Sequence, residues 1–268
     1  MSRISPCFSA LREAGRQALV PFVTAGDPEP GVTVELMHAM VASGADIIEL
    51  GIPFSDPMAD GPVIQRASER ALAHKVSLDS VLGMVKEFRQ SNNDTPVILM
   101  GYLNPIEAMG YAAFSTKAAE AGVDGVLTVD LPPEEGSELV AVLKENDMDM
   151  IFLLAPTSGA DRIARIDAMA SGFIYYVSLK GVTGAANLDI ESVSDKLSEI
   201  RNISQLPLGV GFGVKEPQDA ANLAKIADAV VVGSALVKIV EENAAEPVKI
   251  PTLIAEKIST FRQAMDAA

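Results

Sequence analysis

The strongest constraint on this chain is a rhythm. Eight short apolar runs recur roughly every 33 residues, the length of a strand with its crossover helix. The runs cover residues 19–24, 46–50, 97–102, 125–129, 150–154, 173–177, 208–211 and 229–232. They are rich in Val, Ile and Leu and mostly end at Gly, Asp or Pro. Strands this apolar are covered on both faces, which means a parallel sheet. Between them, residues 35–41, 80–88, 139–144 and 220–226 carry apolar positions at helical spacing. Eight strands with right-handed crossovers close into a (β/α)8 TIM barrel. An open doubly wound sheet is the competing arrangement. No run reads as an antiparallel edge, and Thr24-Ala25-Gly26-Asp27-Pro28 follows the first run in place of GxGxxG.

The expected architecture is therefore one barrel domain over residues 1–268. An extra N-terminal helix over residues 8–15 covers the barrel bottom. A second extra helix starts near Val63, after strand two, and residues 253–265 form the last helix. Three helix-to-strand junctions look alike: Gly44-Ala45-Asp46, Gly122-Val123-Asp124 and Ile226-Ala227-Asp228. Their aspartates read as junction structure, at the opposite end from any active site. In the first two, the Gly permits a left-handed helix cap.

Composition narrows the function. A formal net charge of -15 argues against nucleic acid as partner, since phosphate neutralisation needs clustered Lys and Arg. The one cysteine, Cys7, excludes an intrachain disulfide framework and fits a reducing, cytoplasmic compartment. No apolar run reaches the ~18 residues of a membrane span, and the start has no apolar signal region. His38 and His74 sit in helix-like stretches without a second ligand type at metal spacing, so no metal site is expected.

Two connections are long: residues 53–62 after strand two, and the Gly-rich 178–187 after strand six. In a barrel both hang over the C-terminal face, where active sites lie. Glycines also cluster at the ends of strands six, seven and eight: Gly181 and Gly184, Gly211 and Gly213, then Gly233-Ser234. Singly, each glycine makes a tight turn. Together, at these strand ends and at a helix start, they suggest a phosphate cradle of backbone N–H groups. Glu49 ends the second run, sharing a face with Ile47 and opposing Ile48 and Leu50. With Phe22, Met100, Leu127 and Leu153 nearby, desolvation should raise its pKa and suit it to general acid and base work. On strand position alone it is equally a rim carboxylate capping a loop. Asp60 precedes Gly61-Pro62, as a turn former does, and Asp56 before Pro57 invites the same reading. Its place in a long loop next to Glu49 raises the alternative of paired carboxylates in different roles. Phe22, Leu127, Phe212 and Tyr175 or Tyr176 fall at strand ends, and suggest a substrate with one flat apolar end and one phosphorylated end.

These residues together resemble the tryptophan synthase α subunit family over almost the whole chain. The resemblance runs from VPFVTAGDP at 20–28 to GSALVKI at 233–239. Its most specific stretch is IELGIPFSDPMADGPVIQ at 48–65, and residues 175–184 and 211–214 also fit. It implies a carbon–carbon lyase that cleaves indole-3-glycerol phosphate to indole and glyceraldehyde 3-phosphate. By resemblance, Glu49 shuttles protons, and Asp60 accepts a hydrogen bond from the indole N–H. Phe22, Met100, Leu127 and Phe212 sandwich the indole, with Tyr175 near the glycerol phosphate. Gly184, Gly213, Gly233 and Ser234 offer backbone N–H groups to phosphate. The resemblance further implies an α2β2 complex whose β subunit carries pyridoxal phosphate and receives indole, while this chain holds no cofactor. Asp56 and Pro57 would meet that subunit, and 178–187 would close as a lid. Two other readings remain at this stage. One is a Schiff-base aldolase using Lys180, and the other is a non-catalytic effector subunit.

Overall fold

The computed structural model describes residues 2–178, 189–211 and 213–268. The chain begins with helix α1 (Ile4–Glu13), strand β1 (Ala18–Thr24), helix α2 (Thr33–Ala42) and strand β2 (Ile48–Gly51). Two helices follow, α3 (Pro62–Ala73) and α4 (Leu78–Phe88), before strand β3 (Val97–Gly101). Helices α5 (Leu103–Met109) and α6 (Tyr111–Ala121) lead to strand β4 (Gly125–Thr128), helix α7 (Ser137–Glu145) and strand β5 (Asp149–Leu154). Then come α8 (Ala160–Asp167), β6 (Ile174–Val177), α9 (Ile190–Arg201), β7 (Leu208–Gly211) and α10 (Pro217–Ala224). Strand β8 (Ala229–Val232) and helices α11 (Ser234–Glu242) and α12 (Ile250–Asp266) complete the order.

All eight strands are parallel and pair in sequence order, and β1 closes the barrel against β8. The expected strands are found within two residues at each end. The barrel has two apolar layers because side chains alternate along each strand. Val20, Phe22, Ile47, Ile98 and Met100 pack inside the barrel. Leu19, Val23, Ile48, Leu50 and Leu99 pack outward, in the layer shared with the helices. The extra N-terminal helix starts and ends earlier than residues 8–15, because Ile4 itself is needed below the barrel. Ile4, Phe8 and Leu11 join the inner layer, and the Phe8 ring lies 5.7 Å from that of Phe173. Helix α5 was not anticipated by the periodicity. It spans 7 residues, too few to show a pattern, and Gly110 at φ 87° breaks it from α6.

The three junction aspartates repeat one arrangement below the barrel. Asp46 accepts the Leu19 N–H at 2.8 Å, Asp124 that of Val97 at 2.9 Å, and Asp228 that of Leu208 at 2.8 Å. Each thus satisfies the N–H near the start of a neighbouring strand, and each also meets an arginine from a helix or, for Arg89, from the residue that ends one. Arg262 reaches Asp46 at 3.2 Å, Arg89 reaches Asp124 at 2.7 Å, and Arg201 reaches Asp228 at 3.1 Å. Asp124 also takes the Arg3 guanidinium at 2.9 Å, which fastens α1 under the barrel. Gly44 and Gly122 adopt φ 104° and 88° at the helix ends before the first two junctions, as a left-handed cap requires.

Candidate active site

Register brings Glu49 inside the upper barrel. It pairs with Phe22 of β1 on one side and Ile98 of β3 on the other. The same alternation that turns Ile48 and Leu50 outward turns Glu49 inward. The side chain is 1% exposed, and its Oε1 has no hydrogen-bonding partner among the described residues. Burial alone pushes the carboxyl up to about 8. An isolated carboxylate in such a place costs too much to keep ionised, so the acid form dominates at neutral pH. Tyr175, on β6, is buried in the same inner layer. Burial first, and then the charge of Glu49, hold its phenol well above the usual tyrosine range. Its ring fills the space over β7: a methyl group on Gly211 would lie 2.5 Å from Tyr175 Cζ. Gly51 serves Phe22 in the same way, since a methyl there would lie 2.7 Å from Phe22 Cζ.

Asp60 lies half-buried at the end of the loop after β2. The start of α3 fixes it, because Gln65 Nε2 donates to the Asp60 carbonyl at 2.9 Å. Tyr102 Oη donates to Asp60 Oδ2 at 3.2 Å and accepts the Ala59 N–H at 2.8 Å. The Phe54 ring stacks on Tyr102 at 5.0 Å. Burial raises the Asp60 carboxyl above its ordinary value, and the Tyr102 hydrogen bond partly offsets that. A small cavity joins Asp60 to the barrel top. Phe22, Ile52, Ile64, Met100 and Val129 make it apolar, and Thr24, Ser68 and Tyr102 line it with hydroxyls. Flat apolar walls with few polar groups are the usual make-up of a small-molecule site.

Facing this cavity across β1, the chain leaves β8 at Gly233 and turns at once into α11. A methyl group at Gly233 would lie 3.6 Å from the Phe22 side chain, so the anion end abuts the apolar end. The Gly233 carbonyl accepts from Leu236 and Val237, and no acceptor among the described residues takes the Ser234 and Ala235 N–H groups at the head of the helix. Ser234 is exposed, and Gly213 stands at φ 83° after β7, where only glycine sits without strain. A helix N-terminus of this kind favours an anion.

The structure thus brings Asp60, Phe22 and Met100 together, with Glu49 in register with Phe22 and with Gly233, just before Ser234, against the Phe22 side chain; Gly213 follows β7. Leu127 pairs with Met100 and is fully buried below the cavity wall. Phe212, Gly184 and Lys180 lie outside the described residues, as does nearly all of 178–187. Asp56 is exposed and Pro57 half-buried on the outer loop, next to Met58 at 82% exposure. Sequence reasoning missed Tyr102, Thr24 and Ser68. The first two end or follow apolar runs, at the strand ends where a barrel places its chemistry, and that was a usable signal. Among the described residues no group of three His, Cys, Asp or Glu could hold a metal.

The family model for the tryptophan synthase alpha chain matches residues 8–266. The chain belongs to the tryptophan synthase alpha chain family. It is 63% identical to the tryptophan synthase alpha chain of Thioalkalivibrio sulfidiphilus, over 99% of this chain and 100% of that one. It is 61% identical to that of Nitrosococcus oceani, over 100% and 98%. The crystal structure of the tryptophan synthase alpha subunit from Legionella pneumophila superposes with a TM-score of 0.93 at 46% identity, covering both chains fully. A structure of Mycobacterium tuberculosis tryptophan synthase matches with a TM-score of 0.89 at 35% identity, over 98% of each chain. The match to tryptophan synthase alpha chains therefore includes the α1 plug, the loop carrying Asp60 and both terminal helices.

Proposed function

We propose that this chain is the α subunit of a tryptophan synthase and cleaves indole-3-glycerol phosphate to indole and glyceraldehyde 3-phosphate. The observation that carries this reading is Glu49: a fully buried carboxyl whose Oε1 has no partner among the described residues, in register with Phe22, which lines the hydroxyl-bearing apolar cavity and abuts Gly233 at the anion-favouring helix start. At neutral pH Glu49 begins as the acid. It donates its proton to C3 of the indole ring, and Asp60 accepts a hydrogen bond from the ring N–H as positive charge develops there. Glu49, now a carboxylate, takes the proton from the adjacent glycerol hydroxyl. The O–H electrons form the aldehyde C=O, and the C–C bond electrons return to the ring, which is released as indole. Glu49 ends as it began, so no external acid or base is consumed.

The protonated ring is the electron sink, which is why a Schiff-base lysine is not required. Gly184, Gly213, Gly233 and Ser234 hold the phosphate, while Phe22, Met100, Leu127 and Phe212 hold the ring, with Tyr175 beside Glu49. We place the exposed loop around Asp56 and Pro57 against a β subunit in an α2β2 complex, and pyridoxal phosphate in that partner. We assign the lid role to residues 178–187, nearly all of which lie outside the described residues, treat residues 1–268 as one domain, and place the site of action in the cytoplasm. No helix among the described residues is long and apolar enough to cross a membrane.

Indole release from indole-3-glycerol phosphate by the purified chain, with and without a tryptophan synthase β subunit, tests this. Slow release alone that rises sharply with the partner is expected, together with loss of nearly all turnover in Glu49→Gln. Near-normal turnover by that variant would sink the mechanism. No release in either setting from a folded chain would instead favour a non-catalytic effector.

A further inference from the structure

The two ends of the site stand on different helices, and one ion-pair cluster joins those helices. Asp60 precedes α3, and the anion-favouring N–H groups head α11. Arg70 lies in the last turn of α3. Its Nε and Nη2 grip the two carboxylate oxygens of Asp27 at 2.6 and 2.9 Å. Its Nη1 reaches Glu241, in the last turn of α11, at 3.1 Å. Arg66, one turn back on α3, holds the same carboxylate at 2.5 and 2.9 Å. Asp27 sits on the loop leaving β1, three residues beyond Thr24, and is 2% exposed. Burial raises its carboxyl, and Arg70 opposes that shift.

Barrel closure does not explain this cluster. Strands β1 and β2 already pair directly through Phe22 and Glu49, and apolar residues of α11 pack on the outer layer. What the cluster adds is a fixed relation between α3, α11 and the β1 loop, which are not consecutive in the chain. A planar guanidinium bound at two edges fixes direction as well as distance, which an ammonium cannot do. None of Asp27, Arg70 or Glu241 lines the cavity.

The geometry points to a brace: Asp27, Arg70 and Glu241 are positioning residues that set the span between Asp60 and the α11 N-terminus. A substrate with a ring at one end and a phosphate at the other then meets both ends at once. This rests on the function proposed above. Binding two tethered groups gains from having both sites at the right separation, whereas each group alone feels only its own site. A slackened brace therefore harms the joined substrate and spares its separate halves.

The test uses the full chain, with inorganic phosphate alone and indole alone as binding probes, and indole-3-glycerol phosphate for turnover. The variants are Arg70→Lys, Glu241→Gln and the double variant Asp27→Asn/Arg70→Gln, which removes the buried Asp27 charge together with its half-buried Arg70 partner and so leaves neither stranded. The double variant should bind phosphate and indole singly as the parent chain does, while kcat/KM falls by about 10- to 100-fold. Arg70→Lys, which keeps the charge but loses the two-edged grip, should fall in between, and Glu241→Gln should lose less. A double variant with kcat/KM within about twofold of the parent overturns the brace, given what a misplaced site costs. So does a loss of single-probe affinity in parallel with kcat/KM, which would mean local damage at each end. A parent chain that binds neither probe overturns the functional reading itself.

Discussion

Glu49 is an acid that the folded chain keeps out of water, so replacing it with Gln should change stability in a way set by pH. Its carboxyl is pushed from 4.5 to about 8 by burial. Between those two values the folded chain holds a proton that the unfolded chain has released. Stability contributed by this group is therefore present at low pH and is lost as pH rises through that window. From the two values, the loss between about pH 5 and about pH 9 is about 4 kcal/mol. At 1% exposure the site is dry, and no discount for solvent screening applies. Gln has nearly the same shape and does not ionise. Glu49→Gln should match the parent within about 1 kcal/mol at about pH 5 and exceed it by up to about 4 kcal/mol at about pH 9. Urea unfolding of both proteins across that range measures this, and the difference between them cancels the titrating groups that the Glu49 charge does not reach. Indole release should be lost at every pH. A stability difference that stays flat over the range would refute the desolvation argument, and with it the reason Glu49 starts as an acid.

Two further outcomes follow from geometry. Gly211→Ala should drive a methyl group into the Tyr175 ring, costing about 2 kcal/mol of stability and displacing the phenol beside Glu49; a chain with parental Tm and turnover would contradict that contact. Asp124→Ala should cost about 3–5 kcal/mol in urea unfolding, because it strands Arg89 at 8% side-chain exposure. Asp228→Ala should cost about 1 kcal/mol, since its Arg201 partner is 44% exposed. Equal losses in the two would show that burial does not set the value of these junctions.

The strands were legible because each announces itself locally, in a run of four to six mostly apolar residues, in most cases with Gly, Asp or Pro behind it. The direction of Glu49 was legible too, since parity with Ile47 needs only the two-residue repeat of a strand. Helix α5 was not, because its Asn104-Pro105 reads as loop and its length hides any period. Tyr102 was assigned to the end of a strand, but its hold on Asp60 crosses 42 residues and depends on the loop after β2 folding back. The Arg70 cluster is further from reach: its partners lie 43 and 171 residues away, on elements that meet only when the barrel closes. Composition and spacing carry no trace of such a meeting.

The helix that stops the lower mouth of the barrel has a consequence for traffic. With Ile4, Phe8 and Leu11 wedged beneath the strands, the chamber is blind at one end. Among the described residues, that leaves the upper rim as the side open to ligands. At that rim Ser234 is exposed, whereas Phe22 and Met100 are buried in the cavity wall. Whatever docks on the loop that ends in Asp60 therefore stands beside the open rim.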